Sequence, residues 1–152
     1  ALNNAVMQLP MGAIKLTVVD IKKAAHHRCT QQWNGCNVDW RGEINRAVLE
    51  ELTQQHSVWI EPTLHGGDDP ALAKEILSAG IWMMATEISS AAGVIKAGQN
   101  GGMLNSKDRS TWPAELLQLC NHRPKPKPLL HFPLTQPSFS DQLRQLHQSL
   151  SL

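Results

Sequence analysis

The residues best suited to chemistry lie in one short loop, Thr-Leu-His-Gly-Gly-Asp-Asp, at positions 63–69. Gly66 and Gly67 carry no Cβ, so the backbone at these positions can approach a ligand closely. Pro70, with Asp69 before it, is typical of the start of a helix, and the N–H groups and positive dipole of a helix start suit a phosphate group. The sequence leaves two interpretations open, a phosphate-binding loop and an ordinary surface loop.

Three ionisable side chains in or near this loop are further candidate ligand contacts. His65 lies within the loop. Asp68 could accept hydrogen bonds from hydroxyl groups of a ligand, but Asp68 or Asp69 is also suited to cap the helix that follows. Glu75 lies at the margin of the apolar face of that helix, where its carboxylate could point toward a ligand or pair with a nearby lysine.

A second group of polar residues follows the next predicted strand. Thr86, Ser89 and Ser90 each carry a hydroxyl group. These hydroxyls could donate hydrogen bonds to a phosphate, or they could cap the helical turn that follows them.

Residues 57–86 are predicted to hold these side chains in a strand–helix–strand unit. Its elements are an apolar strand at 58–60, a helix at 71–79 that ends at Gly80, and a second apolar strand at 81–85. In parallel sheets built from such units, ligands bind beyond the carboxyl ends of the strands. The loop at 63–69 follows the first of these strands, so the sequence predicts a binding site there.

The remaining segments alternate between strand and helix patterns. Strands are predicted at 14–19, 37–40 and 103–104, and helices at 21–32, 43–55, 110–120 and 138–150, with one or two helical turns within 87–97. Asn34-Gly35 is predicted to be a turn. Strands that alternate with helices indicate an α/β domain with a mostly parallel sheet.

The length of the chain is typical of a single domain. The chain has 152 residues, which is enough to bury about two thirds of its unfolded surface. Residues 1–122 are predicted to form the α/β domain. Residues 123–152 are predicted to be a proline-rich connection and a C-terminal helix that packs back on the same domain.

Charge and hydropathy argue against two classes of function. Lys and Arg total 14, Asp and Glu total 13, and the basic residues are scattered, so nucleic acid is not predicted as a partner. No apolar run approaches the roughly 20 residues that span a bilayer, and no signal peptide is visible. A cytoplasmic location is expected.

The cysteines indicate reduced thiols rather than disulfides. Cys29, Cys36 and Cys120 are an odd number at spacings unlike those of a secreted disulfide framework. Cys29 and Cys36 match a zinc site only weakly with His26, His27 and His122, because the gap between the cysteines is wide and His122 is far away in the sequence. We therefore predict no metal site.

An ordered series of short motifs runs from residue 57 to residue 119. The series consists of Pro62 after a strand, Leu64-His65-Gly66, Glu75 five residues before Gly80, Ala85-Thr86, a small-residue run at 89–93, Asn100-Gly101-Gly102-Met103-Leu104, a polar loop at 105–108 and a helix at 113–119. This order resembles the nucleotide-sugar-binding half of retaining GT-B glycosyltransferases, the group-1 family that includes glycogen synthase. Segments at 14–20, 38–42 and 139–150 are similar to further parts of the family pattern.

The resemblance implies a Rossmann-like three-layer domain, one half of a GT-B fold, that binds a UDP- or GDP-linked sugar as its donor substrate. Such enzymes transfer a hexose to a hydroxyl acceptor with retention of configuration, stabilise the leaving diphosphate and need no other cofactor or metal. The acceptor-binding N-terminal domain of the family is missing from this chain. The chain alone is therefore expected to be inactive, and any peripheral membrane association is expected through the missing half.

The resemblance also implies roles for particular residues. It implies that Glu75 accepts hydrogen bonds from the ribose hydroxyls of the nucleotide and that Asp68 or Asp69 could hold hydroxyls of the donor sugar. Trp40 and Arg41, at the end of their predicted strand, could flank the nucleotide base, although Trp40 also suits ordinary packing. Which residues are catalytic is not identified from the sequence.

Two departures from the family pattern favour an alternative function. The family has two glutamates separated by seven residues, and only the second, Glu75, is present, with Gly66 or Gly67 at the place of the first. The glycine-rich turn after the early strand is replaced by Asp-Ile-Lys-Lys at 20–23. The alternative is a degenerate Rossmann-like binding module without transferase activity. A receiver-type signalling domain has only Asp20 in its favour.

Overall fold

The computed structural model describes residues 7, 14–20, 22–24, 26–33, 36–64 and 70–122. The elements in these ranges are β1 (Leu16–Val19), β2 (Arg28–Trp33), β3 (Cys36–Arg41), α1 (Arg46–Gln55), β4 (Val58–Glu61), α2 (Pro70–Ser78), β5 (Trp82–Thr86), a 3₁₀ helix (Ser90–Gly93), β6 (Gly101–Leu104) and α3 (Trp112–Asn121). The strands form two three-stranded sheets, with the orders β1-β3-β2 and β4-β5-β6.

The first sheet is built around β3. β1 runs parallel to β3, and β2 runs antiparallel to it. Because side chains alternate between the two faces of a strand, Val38 and Trp40 share one face and Asp39 and Arg41 share the other. Val38 is fully buried, and Arg41 forms an ion pair with Glu51 of α1. This ion pair connects the polar face of the first sheet to α1, the helix that precedes the second sheet.

The helix predicted at 21–32 is wrong. The structure has β2 in this segment, and β2 pairs along its whole length with β3. His26, Thr30 and their neighbours are poor helix formers, so pairing with an adjacent strand decides the conformation. Asn34-Gly35 stands between the two strands in the sequence, and an Asn-Gly pair in that position is a strong hairpin signal.

The second sheet is entirely parallel and confirms the strands predicted at 58–60 and 81–85. Trp59 of β4 lies opposite Met83 of β5, and Met83 lies opposite Gly101 of β6. A Cβ at Gly101 would lie 2.1 Å from the carbonyl oxygen of Met83, so this position accepts only glycine without a backbone shift. The short strand predicted at 103–104 is β6, which begins two residues earlier, at Gly101.

Helices cover both faces of the second sheet. The core on the α2 face consists of Leu49, Ala73, Ile76, Leu77, Ile81, Met83, Ala85 and Ala91. The core on the α3 face consists of Met84, Leu104 and Trp112, with Val58, Ile60, Trp82 and Leu119 packed against it. Met83 and Met84 contribute to opposite cores because consecutive residues of a strand point to opposite faces.

Both ends of α2 agree with the prediction. The helix begins at Pro70. Gly80 has a φ of 77°, and its N–H donates to the carbonyl of Leu77 while the N–H of Ile81 donates to the carbonyl of Ile76. This pair of hydrogen bonds is the Schellman motif, which satisfies carbonyl groups that the helix end leaves open.

The helix predicted at 43–55 begins later, at Arg46. The side chain of Asn45 accepts a hydrogen bond from the backbone N–H of Val48 at 3.0 Å and caps the helix. Leu49 and Leu52 are its buried residues, as the apolar spacing predicts. The helix predicted at 110–120 is confirmed as α3.

The described part of the chain is therefore an α/β structure with mostly parallel strands and helices on both sides of its parallel sheet, which agrees with the Rossmann-like prediction. The C-terminal helix predicted at 138–150 and the whole segment 123–152 lie outside the described residues. None of the described helices has the length and apolar character that crossing a membrane requires.

Candidate functional site

The candidate site is the end of the second sheet at which its three strands finish. β4, β5 and β6 end at Glu61, Thr86 and Leu104, and Thr86 lies opposite Leu104 in the strand register. These strand ends and the loops that follow them are called the carboxyl edge below. α2 begins close to this edge because it runs back along the sheet from β4 to β5.

The predicted site residues Thr86 and Ser89 join the first two loops of the carboxyl edge. Thr86 is fully buried, and its hydroxyl donates to the carbonyl oxygen of Thr63 at 2.5 Å. The Ser89 hydroxyl donates to Glu61 Oε1 at 3.1 Å and accepts from the N–H of Ala91 at 3.1 Å, which caps the 3₁₀ helix. The capping interpretation of Ser89 is confirmed.

A second link joins the loops after β5 and β6. The Ser106 hydroxyl donates to Glu87 Oε1 at 2.6 Å, and the Ser106 N–H donates to Glu87 Oε2 at 2.9 Å. The side-chain hydrogen bond from Ser106, followed by the backbone one, lowers the pKa of Glu87 below its usual value. The lowered pKa keeps Glu87 ionised, so it places a negative charge at the carboxyl edge.

The loop after β6 is in turn tied to α3. Asn105 Oδ1 accepts the backbone N–H groups of Lys107 and Asp108 at 2.9 and 3.0 Å. The indole Nε1 of Trp112 donates to the carbonyl of Asn105 at 2.8 Å. The three loops of the carboxyl edge thus form one hydrogen-bonded series, which gives the site a preorganised backbone.

Ser90 differs from its neighbours at this edge. Its Oγ is buried and has no hydrogen-bond partner among the described residues. A buried hydroxyl without a partner is costly, so such a group is a candidate for contact with a bound molecule. Of the predicted hydroxyls of Thr86, Ser89 and Ser90, only that of Ser90 has no hydrogen-bond partner among the described residues.

Glu75 lies on α2, and its side chain is half-buried. Five residues separate it from Pro70, which corresponds to about 7.5 Å along the helix axis. No other described residue forms a hydrogen bond or an ion pair with its carboxylate. The lysine pairing considered as the alternative is therefore not seen within the described ranges.

Four predicted site residues lie outside the described part of the chain. They are His65, Gly66, Gly67 and Asp68. Their predicted roles, like that of Asp69 as a helix cap, stay predictions.

Trp40 and Arg41 belong to the first sheet, away from the series of hydrogen bonds at the carboxyl edge. The Trp40 ring contacts Trp33 edge to face, with ring centroids 6.0 Å apart. The Arg41 guanidinium pairs with Asp39 at 3.0 Å and with Glu51 at 3.3 Å. No hydrogen bond or ion pair of the described residues connects Trp40 or Arg41 to Glu75, Ser89 or Thr86. Trp40 Nε1 is buried and has no partner among the described residues, and the predicted place of both residues beside a nucleotide base stays a prediction.

Sequence reasoning missed two residues of this edge, Glu61 and Glu87. Glu61 ends β4 and lies directly before Pro62, and Glu87 follows β5 directly. A carboxylate at the end of a predicted parallel strand is a signal that could have identified both.

No group of three or more His, Cys, Asp or Glu residues within the described ranges is arranged to hold a metal ion. The chain matches no protein-family model, and no match is found among curated proteins or solved structures. A function for this chain therefore depends on the residue pattern of its sequence and on the geometry of the carboxyl edge.

Proposed function

We propose that the carboxyl edge binds a nucleoside diphosphate sugar, and that the chain is the donor-binding half of a retaining glycosyltransferase that transfers a hexose to a hydroxyl acceptor. The observation that carries this proposal is the unit β4–α2–β5, in which two parallel strands and the start of a helix converge on one polar edge. In parallel sheets such an edge is the usual place for a nucleotide.

The diphosphate would lie at the start of α2. The first turn of α2 carries no acidic residue, and the positive end of a helix dipole favours an anionic group at the helix start. The Ser90 hydroxyl, buried and without a partner, supplies one more donor at the same edge. Gly66 and Gly67 in the preceding loop would allow the backbone to approach the phosphates.

The ribose would be held by Glu75. Its carboxylate is half-buried and unpaired within the described ranges. An ionised carboxylate accepts hydrogen bonds from two neighbouring hydroxyl groups, which the ribose ring presents. His65 and Asp68 would contact the sugar from the loop.

In this proposal the chain contributes binding energy and stabilisation of the leaving diphosphate. The acceptor hydroxyl and the groups that activate it would come from a separate acceptor-binding domain. The transfer would take place in the cytoplasm, with a UDP- or GDP-linked sugar as donor.

A titration of the chain with UDP, GDP and ADP, followed by ¹H–¹⁵N NMR, tests the proposal. We expect UDP or GDP to shift the backbone amide signals of Ala71 and Ser90. Glu75→Gln should weaken binding about tenfold or more, because a hydrogen bond to a charged group is lost. The matched control is Glu50→Gln on α1, where the carboxylate pairs with exposed Arg46.

The second candidate is a Rossmann-like module that binds no nucleotide and has no transferase activity. It is favoured by the hydroxyl of Thr86 and the guanidinium of Arg41, both of which are occupied by contacts within the chain. Absence of any shift with all three nucleotides at millimolar concentration would exclude the first proposal and support this module.

A further inference from the structure

A cleft of about 350 Å³ lies on the face of the second sheet opposite α2. Trp82 and Met84 of β5 and Gly102 of β6 form the sheet side of the cleft, and Glu115 and Leu119 of α3 form the helix side. The cleft belongs to the α3 face because Trp82, Met84 and Leu119 pack in the core of that face.

Gly102 lies on the sheet side of the cleft, next to the Met84 side chain. Gly102 lies opposite Met84, and a Cβ at this position would lie 2.8 Å from the Met84 sulfur. Glycine at this position therefore leaves room for the Met84 side chain, and Gly102 and Met84 both line the cleft.

Two buried polar atoms of opposite character belong to side chains that line this cleft. Trp82 Nε1 is a hydrogen-bond donor and Glu115 Oε2 is an acceptor, and neither has a partner among the described residues. Buried polar groups in folded proteins are normally paired. Both atoms are shielded from solvent, and a molecule bound in the cleft would supply their missing partners once the side chains that cover them move.

We propose that this cleft binds a small, flat, amide-type ligand, in which an N–H group donates to the Glu115 carboxylate and the neighbouring C=O group accepts from the Trp82 indole. The apolar part of such a ligand would lie between Met84 and Leu119. No lysine or arginine lines the cleft within the described ranges, which disfavours an anionic ligand.

Binding requires a small movement of Glu115. Its Oε2 and the Trp82 Nε1 are shielded from solvent. The outermost torsion of a glutamate is broad, so the carboxylate can turn toward the cleft at little cost. This turn would bring Oε2 to the N–H of the ligand. Pairing with the indole N–H requires that the atoms covering it move as well.

The cleft is separate from the carboxyl edge, so this proposal does not rest on the proposed nucleotide site. Trp82 begins β5 and Thr86 ends it, which places the two about 13 Å apart along the strand. Signals of Trp82 and Gly102 therefore report on the cleft, and signals of Ala71 and Ser90 report on the edge.

The test compares 2-pyridone, a lactam with N–H beside C=O, with N-methyl-2-pyridone, which keeps the ring and the carbonyl but lacks the N–H. Each is titrated into the full chain while the Trp82 indole signal and the Gly102 amide signal are followed by NMR. We expect 2-pyridone to shift both signals and to bind about fivefold or more tightly than the methylated probe, since one hydrogen bond is lost.

Two variants remove the protein partners one at a time. Trp82→Phe keeps the aromatic ring without the N–H, and Glu115→Met keeps the side-chain length without the acceptor. Each should weaken 2-pyridone binding about fivefold, whereas Glu50→Gln should leave it unchanged. Equal affinity for the two probes in the unmodified protein, or no shift with either at saturating millimolar concentration, would overturn the proposal whether or not the variants fold.

Discussion

Ser106 holds the carboxylate of Glu87 with two hydrogen bonds and so joins the loops after β5 and β6. We predict that Ser106→Ala raises the pKa of Glu87 toward its ordinary value, because the side-chain hydrogen bond that stabilises the ionised form is removed. An NMR titration of the Glu87 side-chain carboxyl carbon measures this pKa. Ser110→Ala is the matched control, since Ser110 lowers the pKa of Asp108 by the same kind of contact and does not touch Glu87.

His56 connects α1 to the first sheet through a 2.9 Å contact between its Nε2 and the hydroxyl of Thr17. Burial, helped by the charge of Lys15, lowers the pKa of His56 below 6.5, while Asp39 opposes the shift. The unfolded chain then binds a proton more readily than the folded chain. The stabilising contribution is therefore complete above pH 6.5 and declines as the pH falls through 6.5 toward the folded-state pKa.

We predict that the free energy of unfolding falls more steeply below pH 6.5 in the unmodified protein than in His56→Gln. Urea unfolding at a series of pH values measures this slope. His122→Gln, at the exposed end of α3, serves as the control. Parallel slopes for the unmodified protein and His56→Gln would show that His56 does not set the pH dependence.

Cys36 is 4% exposed, and burial raises the pKa of its thiol. Because the thiolate is the reactive form, we predict that Cys36 reacts more slowly with iodoacetamide than Cys29, which is half-buried. Mass spectrometry of peptides after timed labelling separates the two sites. Labelling of Cys36 at the rate of Cys29 in the folded protein would contradict the burial of β3 at its first residue.

At the scale of elements, the end of α2 depends on the positive φ of Gly80. No atom lies within 4 Å of the Cβ that alanine would add, so the cost of Gly80→Ala is backbone strain alone. We predict a loss of about 1–2 kcal/mol in the free energy of unfolding.

Gly93→Ala is the matched control for this substitution. Gly93 also has open space around its added Cβ and does not have a positive φ. Its substitution should leave the free energy of unfolding unchanged or raise it by about 0.4–1 kcal/mol. Equal effects of the two substitutions in urea unfolding would show that strain at Gly80 is not what ends α2.

The helices and strands also show which parts of the secondary structure the sequence patterns predict and which they do not. β4, α2 and β5 were predictable because continuous apolar runs, Pro70 and Gly80 each specify a local structure. β2 was not predictable from composition, because Arg28–Trp33 has no strong preference of its own and becomes a strand by pairing with β3. The hairpin signal Asn34-Gly35 carried that information, but only in combination with strands on both sides.

At the scale of the whole molecule, the two sheets have different roles. The parallel sheet carries a helix on each face and ends in a connected polar edge, which the proposed function uses. The first sheet engages Trp40 and Arg41 in contacts of its own, and their predicted position beside a nucleotide base stays a prediction. The cleft beside α3 places a further candidate site on the opposite face from α2.

The sequence by itself determined the alternation of strands and helices after β2, the position of the βαβ unit and the end of the sheet at which polar residues collect, because hydrophobic periodicity, proline and glycine act locally. Only the tertiary structure decided which polar groups remain available. Thr86 and Ser89 are occupied by Thr63 and Glu61, whereas Ser90, Trp82 and Glu115 hold buried atoms without partners. Hydrogen-bond pairing between segments far apart in the chain sets that difference, and no local pattern encodes it.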